Sequence, residues 1–272
     1  MDTRLELGVT RLGPRVFRRQ MEALASAGVK TLGSAELEAV VAGGTGAGQG
    51  RRLSPPHASP LTSLTSVVLT FDDAYSALAE HAFPVLADLG LKALVFVITD
   101  FAGRENSWDV RYGGRRFRHL AWDDLAQWRD RGVVEVHAHG ATHARLTWLS
   151  DALVEQELVR SRDAIAARLG DAPTGFCYPF GAADARVVRL TRAAGYRLGF
   201  AGPHGVADVG PADAPLALRR RPVYAWDRGA VPFVLRRDAL GRAAQGAAGL
   251  ASRLSVVTSL IRRLAGRWYD AS

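Results

Sequence analysis

The chain of 272 residues has one cysteine, Cys177, so no intramolecular disulfide can staple it, and a small buried hydrophobe is the plain role for that side chain. It is poor in lysine: Lys30 and Lys92 are the only two, and its other basic residues are arginines. It has no apolar run long enough to cross a bilayer. Its first ten residues include Asp2 and Glu6 and do not read as a secretory leader. As written the chain is expected in the cytoplasm, and a start further upstream would make it an exported protein. What it does have is 48% hydrophobic residues, enough for a full-sized core and against disorder. One domain of α/β-barrel size is expected from that length.

The formal charge of +8 is unevenly placed. From Arg219 onward, eleven arginines face only Asp227, Asp238 and Asp270, which accounts for the whole surplus. No zinc-finger spacing accompanies it, so no nucleic-acid partner is expected. In the same region Leu250, Leu254, Val257, Leu260, Ile261, Leu264 and Trp268 recur at helical spacing among Arg253, Arg262, Arg263 and Arg267. Residues 241–272 therefore read as a basic amphipathic helix appended to a domain over 1–240. It either packs on that domain or makes peripheral contact with an anionic membrane.

Hydrophobic periodicity predicts a surface helix through Val16, Met21, Leu24 and Val29, then a Gly, Ser and Pro-rich loop over 42–66. Strands are expected at Val67 to Phe71, Ala93 to Thr99, Val133 to His139, Gly175 to Tyr178 and Tyr196 to Ala201. Between them lie helices at Leu78 to Leu89, Trp122 to Arg131, Ser150 to Leu169 and Asp184 to Ala194. Alternation of this kind implies a parallel sheet with helices outside, and this many units suggest closure toward a barrel.

The chemistry gathers at strand ends, where parallel-sheet folds place their sites. Asp72 and Asp73 end the first strand; alone they would suit a helix N-terminus. The strand Val133 to His139 changes that weighting. Its two-residue period puts Val134, Val136 and Ala138 on one face and Glu135, His137 and His139 on the other. Three polar residues on one face need a solvated or metal-bearing cavity. The turn at Gly140 lets His143 converge with His139. Two imidazoles and a carboxylate are the ligand set of a catalytic zinc-type site with an open position.

The third element is GFCYPFG at Gly175, a strand running into a turn forced by Pro179 and Gly181. Taken in order, TFDDAY at Thr70, HGATH at His139 and YPFG at Tyr178 resemble the first three motifs of NodB-type polysaccharide deacetylases, carbohydrate esterase family 4. The likeness extends from about Val16 to Tyr224. It includes VFRRQMEALASAGVKTLGSAEL at Val16, the segment after the first motif from Ala82, and HARLTWLSDALVEQELVRSRDAIAARLG at His143.

That resemblance implies a distorted (β/α) barrel with fewer than eight regular strands, lacking the first strand if Met1 to Arg11 is too short to supply it. It implies one divalent metal ion, usually zinc, on Asp73, His139 and His143, with Asp72 as general base. A backbone N–H of the Tyr178 to Phe180 turn, that of Phe180, would hold the oxyanion. The implied reaction removes an N-acetyl group from an amino sugar; a non-catalytic glycan-binding protein on the same barrel is the alternative. The chain departs from the family at Cys177, where many members carry an arginine that orients the base. The run Arg219, Arg220, Arg221 offers replacements, with Arg221 or Arg220 expected to reach back. The family's late histidine, its general acid, is also missing, and His137 is the substitute expected from the strand period.

Overall fold

Strand β4 (Ala93–Val97) has no exposed residue, and its alternate side chains enter two different apolar clusters. Ala93, Val95 and Val97 face the larger cluster, between the sheet and its covering helices, whereas Leu94 and Phe96 face the concave side. A strand covered on both faces reads as an unbroken apolar run, as this one does. The computed structural model describes residues 12–43, 66–106 and 117–223. The expected upstream segment Met1 to Arg11, most of the 42–66 loop, the boundary near 240 and the basic amphipathic helix lie outside the described residues.

The main sheet has six parallel strands in the order β3 (Thr70–Phe71), β4, β5 (Val134–Ala138), β6 (Gly175–Cys177), β7 (Leu198–Ala201) and β8 (Leu218–Arg219). It curls into a half-barrel. A separate parallel pair joins β1 (Lys30–Thr31) to β2 (Ser66–Val67). Helices α1 (Pro14–Ser26), α5 (Trp122–Asp130), α6 (Asp151–Leu169) and α7 (Ala185–Ala193) match the expected periodic segments. The helix expected over Leu78 to Leu89 is two short ones, α3 (Ala77–His81) and α4 (Phe83–Asp88). Pro84, in the first turn of α4, has no N–H to continue a ladder from the preceding turn.

The concave face holds Leu94, Phe96, Cys177, Leu198 and Phe200, with Leu37 and Leu218 packed beside them. Leu37 belongs to α2 (Ser34–Gly43), a helix the periodicity does not announce because its apolar residues form no stripe. The seam between β5 and β6 is thin: Ala138 and Phe176 are its one paired position. Below that pair the His137 ring does the joining. Its Nδ1 accepts from the Gly175 N–H at 3.2 Å, and a Cβ on Gly175 would meet the same ring at 3.2 Å.

Candidate active site

Asp72 and Asp73 follow β3, His139 follows β5, Cys177 ends β6 and Arg220 follows β8, so all five stand at the C-terminal rim of the curled sheet. The backbone there is strained. Asp73, Ala74, His143 and Phe180 have φ values of 65°, 52°, 62° and 61°, and the other described non-glycine residue with positive φ is Asp208. Side chains other than glycine's avoid that region, and where they persist in it the surrounding structure holds them there. His119 is buried beneath the first turn, with Nδ1 2.6 Å from the Asp73 carbonyl oxygen. The His139 to His143 loop is held by Glu157 of α6, whose carboxylate accepts from Ala141 N, Thr142 N and Thr142 Oγ1 at 2.7–3.0 Å.

Asp73, His139 and His143 converge as the ligand pattern requires. Their candidate ligand atoms lie within 4.8 Å of one another, and both imidazole Nε2 atoms are 3.5 Å from Asp73 Oδ1. His139 Nδ1 donates to the Cys177 carbonyl at 2.7 Å. A carbonyl oxygen only accepts, so Nδ1 carries the proton and Nε2 presents a lone pair toward Asp73. Burial pushes His139 below its ordinary pKa and favours that neutral form. Lone pair against carboxylate oxygen is repulsive unless a cation lies between. A tetrahedral ion with bonds of about 2.0–2.2 Å spaces its ligands by about 3.4 Å, so these donors fit a small divalent metal.

Asp72 is held differently. Arg220 Nη1 donates to its Oδ1 at 2.6 Å and Arg220 Nη2 to its Oδ2 at 2.8 Å, a two-pronged pairing. Burial raises the Asp72 carboxyl, but the Arg220 charge and hydrogen bonds outweigh it and hold the group well below the usual carboxylate range. Arg220 also donates to Cys177 Sγ at 2.9 Å and to Thr70 Oγ1 at 3.3 Å. Asp72, His139 and Cys177 form a second possible donor group, but the guanidinium already lies against two of its members. Burial raises the Cys177 thiol well above its ordinary value, so it stays protonated beside the arginine.

Of the expected arginines, it is Arg220 and not Arg221 that reaches the carboxylate. Strand alternation turns Leu218 and Arg220 inward and leaves Arg219 and Arg221 exposed. The start of β8 is pinned by Tyr178, whose hydroxyl donates to the Leu216 carbonyl at 2.8 Å. Gly199 permits that approach, since a Cβ there would lie 2.2 Å from the Leu216 oxygen. His137 shares the inner face with His139, as the strand period predicts, yet it does not serve as expected. Its Nδ1 takes the Gly175 N–H, and its Nε2 lies 3.6 Å from Glu135. Same-face residues are about 6.6 Å apart along a strand, and its partners lie on the side away from the rim, so a general-acid role for His137 has no geometric support. Phe180 lies in the one-turn helix Pro179–Gly181, its ring 4.6 Å from that of His143. Glu157 and His119, which brace the site, carry no sequence signal of their own, because their partners are mainly backbone groups elsewhere in the chain.

A sequence model of the family described as polysaccharide deacetylase matches residues 62–199, half of the chain. The chain belongs to the polysaccharide deacetylase family. It is 24% identical over 141 residues to YxkH of Bacillus subtilis, described as a putative polysaccharide deacetylase. That match takes in 52% of this chain and 46% of YxkH, so the chain spans less than half the length of the curated relative. Among solved structures, BA0330 of Bacillus anthracis, a putative polysaccharide deacetylase, superposes with a TM-score of 0.61 at 20% identity, covering 82% of this chain and 62% of that one. The Streptococcus pyogenes deacetylase PplD gives 0.59 at 20% identity over 77% and 80%. IcaB from Ammonifex degensii gives 0.55 at 25% identity over 70% and 76%. The family's α/β fold is thus shared.

Proposed function

We propose that the chain is a metal-dependent hydrolase that removes the acetyl group from an N-acetylated amino sugar. The observation carrying this reading is the convergence of His139 Nε2 and His143 Nε2 on Asp73 Oδ1 beside a second carboxylate held by an arginine. Asp73, His139 and His143 would hold one divalent ion, with zinc the best match to two imidazoles and one carboxylate. When bound, such an ion supplies Lewis acidity to the amide carbonyl and lowers the pKa of a nearby water.

The protein's own residues do the rest. Arg220 keeps Asp72 ionised, the state a proton acceptor needs, and fixes the direction in which its oxygens point. Asp72 takes a proton from the attacking water as the new carbon–oxygen bond forms. The Phe180 N–H donates to the oxygen that gains charge. As the carbon–nitrogen bond breaks, Asp72 returns its proton to the departing nitrogen, leaving acetate and a free amine. No second acid is then required, which suits a site where His137 is turned away.

The test is acetyl loss followed by mass spectrometry on N-acetylated sugars, sugar nucleotides and chitin oligomers, with and without chelator, for wild type and Asp72→Asn. Chelator-sensitive acetyl loss that Asp72→Asn lacks supports the reading. Wild type without chelator-sensitive loss on any substrate overturns it. Location in the cell follows from the substrate: cytoplasmic if sugar nucleotides are cleaved, exported if only polymer is.

A further inference from the structure

We infer that the protein has a second ligand site, for the phosphate group of a phosphorylated ring compound such as a sugar phosphate, in an open cavity lined from the end of β4 and from helices α5 and α6. The site is separate from the metal-ligand pattern and goes beyond the deacetylase reading, which can fail without it.

The cavity has a volume of about 450 Å³, within the range of small-molecule sites. Thr99 and Asp100, in the one-turn helix Thr99–Phe101 after β4, meet there with Arg104, with Trp122 at the start of α5, and with Arg160 and Arg168 of α6. Residues eight apart on a helix share a face, so α6 brings both of its arginines to one side. The floor is tied to the loop between His139 and His143. Thr99 N donates to the Gly140 carbonyl at 3.2 Å and Asp100 N to the Ala141 carbonyl at 3.0 Å. The cavity adjoins that loop, but neither histidine lines it.

Three guanidiniums line the cavity against one carboxylate. Arg160 Nη2 donates to both Asp100 oxygens, at 3.0 and 2.9 Å, and that pair neutralises itself. The Arg104 and Arg168 guanidiniums have no hydrogen bond, ion pair or ring contact among the described residues. Two positive charges therefore stand unbalanced along one cavity, the charge that a phosphate dianion brings; a carboxylate would cancel only one. Thr99 is the independent observation. It lines the cavity, it is 8% exposed, and its hydroxyl is buried with no hydrogen-bond partner. A buried hydroxyl left so is costly and calls for a partner. Phosphate oxygens accept from a hydroxyl and from guanidinium forks at once. Half-buried Trp122 adds an aromatic wall that suits the apolar face of a ring.

Isothermal titration of the full-length protein with glucose 1-phosphate, inorganic phosphate and glucose tests the site without any turnover. Wild type is expected to bind glucose 1-phosphate saturably, inorganic phosphate about fivefold more weakly, and glucose not measurably. The double variant Arg104→Gln, Arg168→Gln should weaken glucose 1-phosphate by at least about tenfold, and Thr99→Val by about fivefold. Asp73→Ala should bind it as wild type does, which separates this cavity from phosphate held at the metal-ligand pattern. No saturable binding by wild type overturns the inference, as does binding that survives in the double arginine variant or is lost in Asp73→Ala. Unchanged affinity in Thr99→Val overturns it too, because the unpartnered hydroxyl is what distinguishes this cavity from a solvated patch of arginines. Inorganic phosphate bound as tightly as glucose 1-phosphate overturns the ring compound as the ligand. Should the double variant not fold, Arg168→Gln alone decides by a loss of about threefold, and an unchanged Kd there overturns the site. If no sugar loses acetyl, the deacetylase reading falls while these titrations still decide.

Discussion

Two regions of the half-barrel set a histidine of the β5 segment against a carboxylate. At the rim His139 faces Asp73 at 3.5 Å, and on the side of the strand's N-terminal end His137 faces Glu135 at 3.6 Å. The residue types match, but the surroundings do not. Glu135 also receives Ser34 N at 2.8 Å and Ser34 Oγ at 2.6 Å, and Gly33 leaves room for its other oxygen. The His137 ring beside it, together with the hydrogen bonds from Ser34, outweighs burial and holds Glu135 at about 2. That end is a latch joining α2 to the sheet. At the rim His139 spends its proton on a backbone carbonyl and turns a lone pair toward the carboxylate, an arrangement that calls for a cation. The contrast teaches that a carboxylate–imidazole pair can offer ligands to a cation or form a structural tie according to where the imidazole's other nitrogen points.

The largest effect is expected from Asp73→Ala. It should abolish stoichiometric divalent metal, measured by elemental analysis of the purified protein, and lower deacetylation by at least about 100-fold, beyond what loss of a merely supporting contact costs. Bound metal unchanged in that variant would break the comparison at its rim end. Asp72→Asn should retain the metal and lose about 10²–10⁴-fold in kcat.

Arg220→Gln comes next, with a fall of about 10–100-fold in kcat/KM. Its pH profile is more telling than its rate. Arg220 holds Asp72 below the usual carboxylate range, so removing it raises that carboxyl and moves the acid limb of the rate profile to higher pH. Arg221→Gln should leave the limb where it is. A shift in the second variant and none in the first would reverse the assignment between the two arginines.

Smaller effects are expected at the latch. Glu135→Gln should cost about 1–2 kcal/mol of folding stability at neutral pH in denaturant melts, with acetyl turnover within about twofold of wild type. The sign with pH follows from the depressed carboxyl. Its contribution is complete above its ordinary value of 4.5 and lost as pH falls through about 2, so the gap between wild type and variant should close over that interval. A constant gap would mean that Glu135 acts by packing. Gly199→Ala probes the link between β7 and β8: a Cβ 2.2 Å from the Leu216 oxygen must move β8, and stability should fall by about 1–3 kcal/mol. The Arg220 pairing should loosen with it, seen as a smaller shift of the acid limb than in Arg220→Gln.

Much of this was legible in the residue order. The alternation along 133–139 separated helix-facing valines from inward-facing Glu135, His137 and His139, and the uninterrupted apolar run at 93–97 marked a strand buried on both faces. Strands β1 and β8 have two residues each, too few for any period to register, and the run expected as one strand at Val67 to Phe71 divides into β2 and β3, which belong to different sheets. Helix α2 hid because its apolar residues form no stripe, and the break between α3 and α4 was signalled by Pro84 but overridden by the periodicity around it. Glu157, His119 and Tyr178 brace the site through backbone partners that no local pattern reveals.

Local chemistry determined the strand faces, the turn residues and the set of candidate side chains, because backbone period and hydrogen-bonding capacity are properties of neighbours in sequence. Tertiary structure decided the assignments among near-equals. Arg220 rather than Arg221 meets Asp72 because Tyr178 and Gly199 fix where β8 begins, and alternation then turns every second residue inward. His137 serves the sheet rather than the rim because the β5–β6 seam opens below Ala138 and leaves the Gly175 N–H for its ring. Both outcomes depend on packing across strands 38 to 148 residues apart, where hydrogen bonding and steric fit act through space on groups the chain itself leaves far from one another.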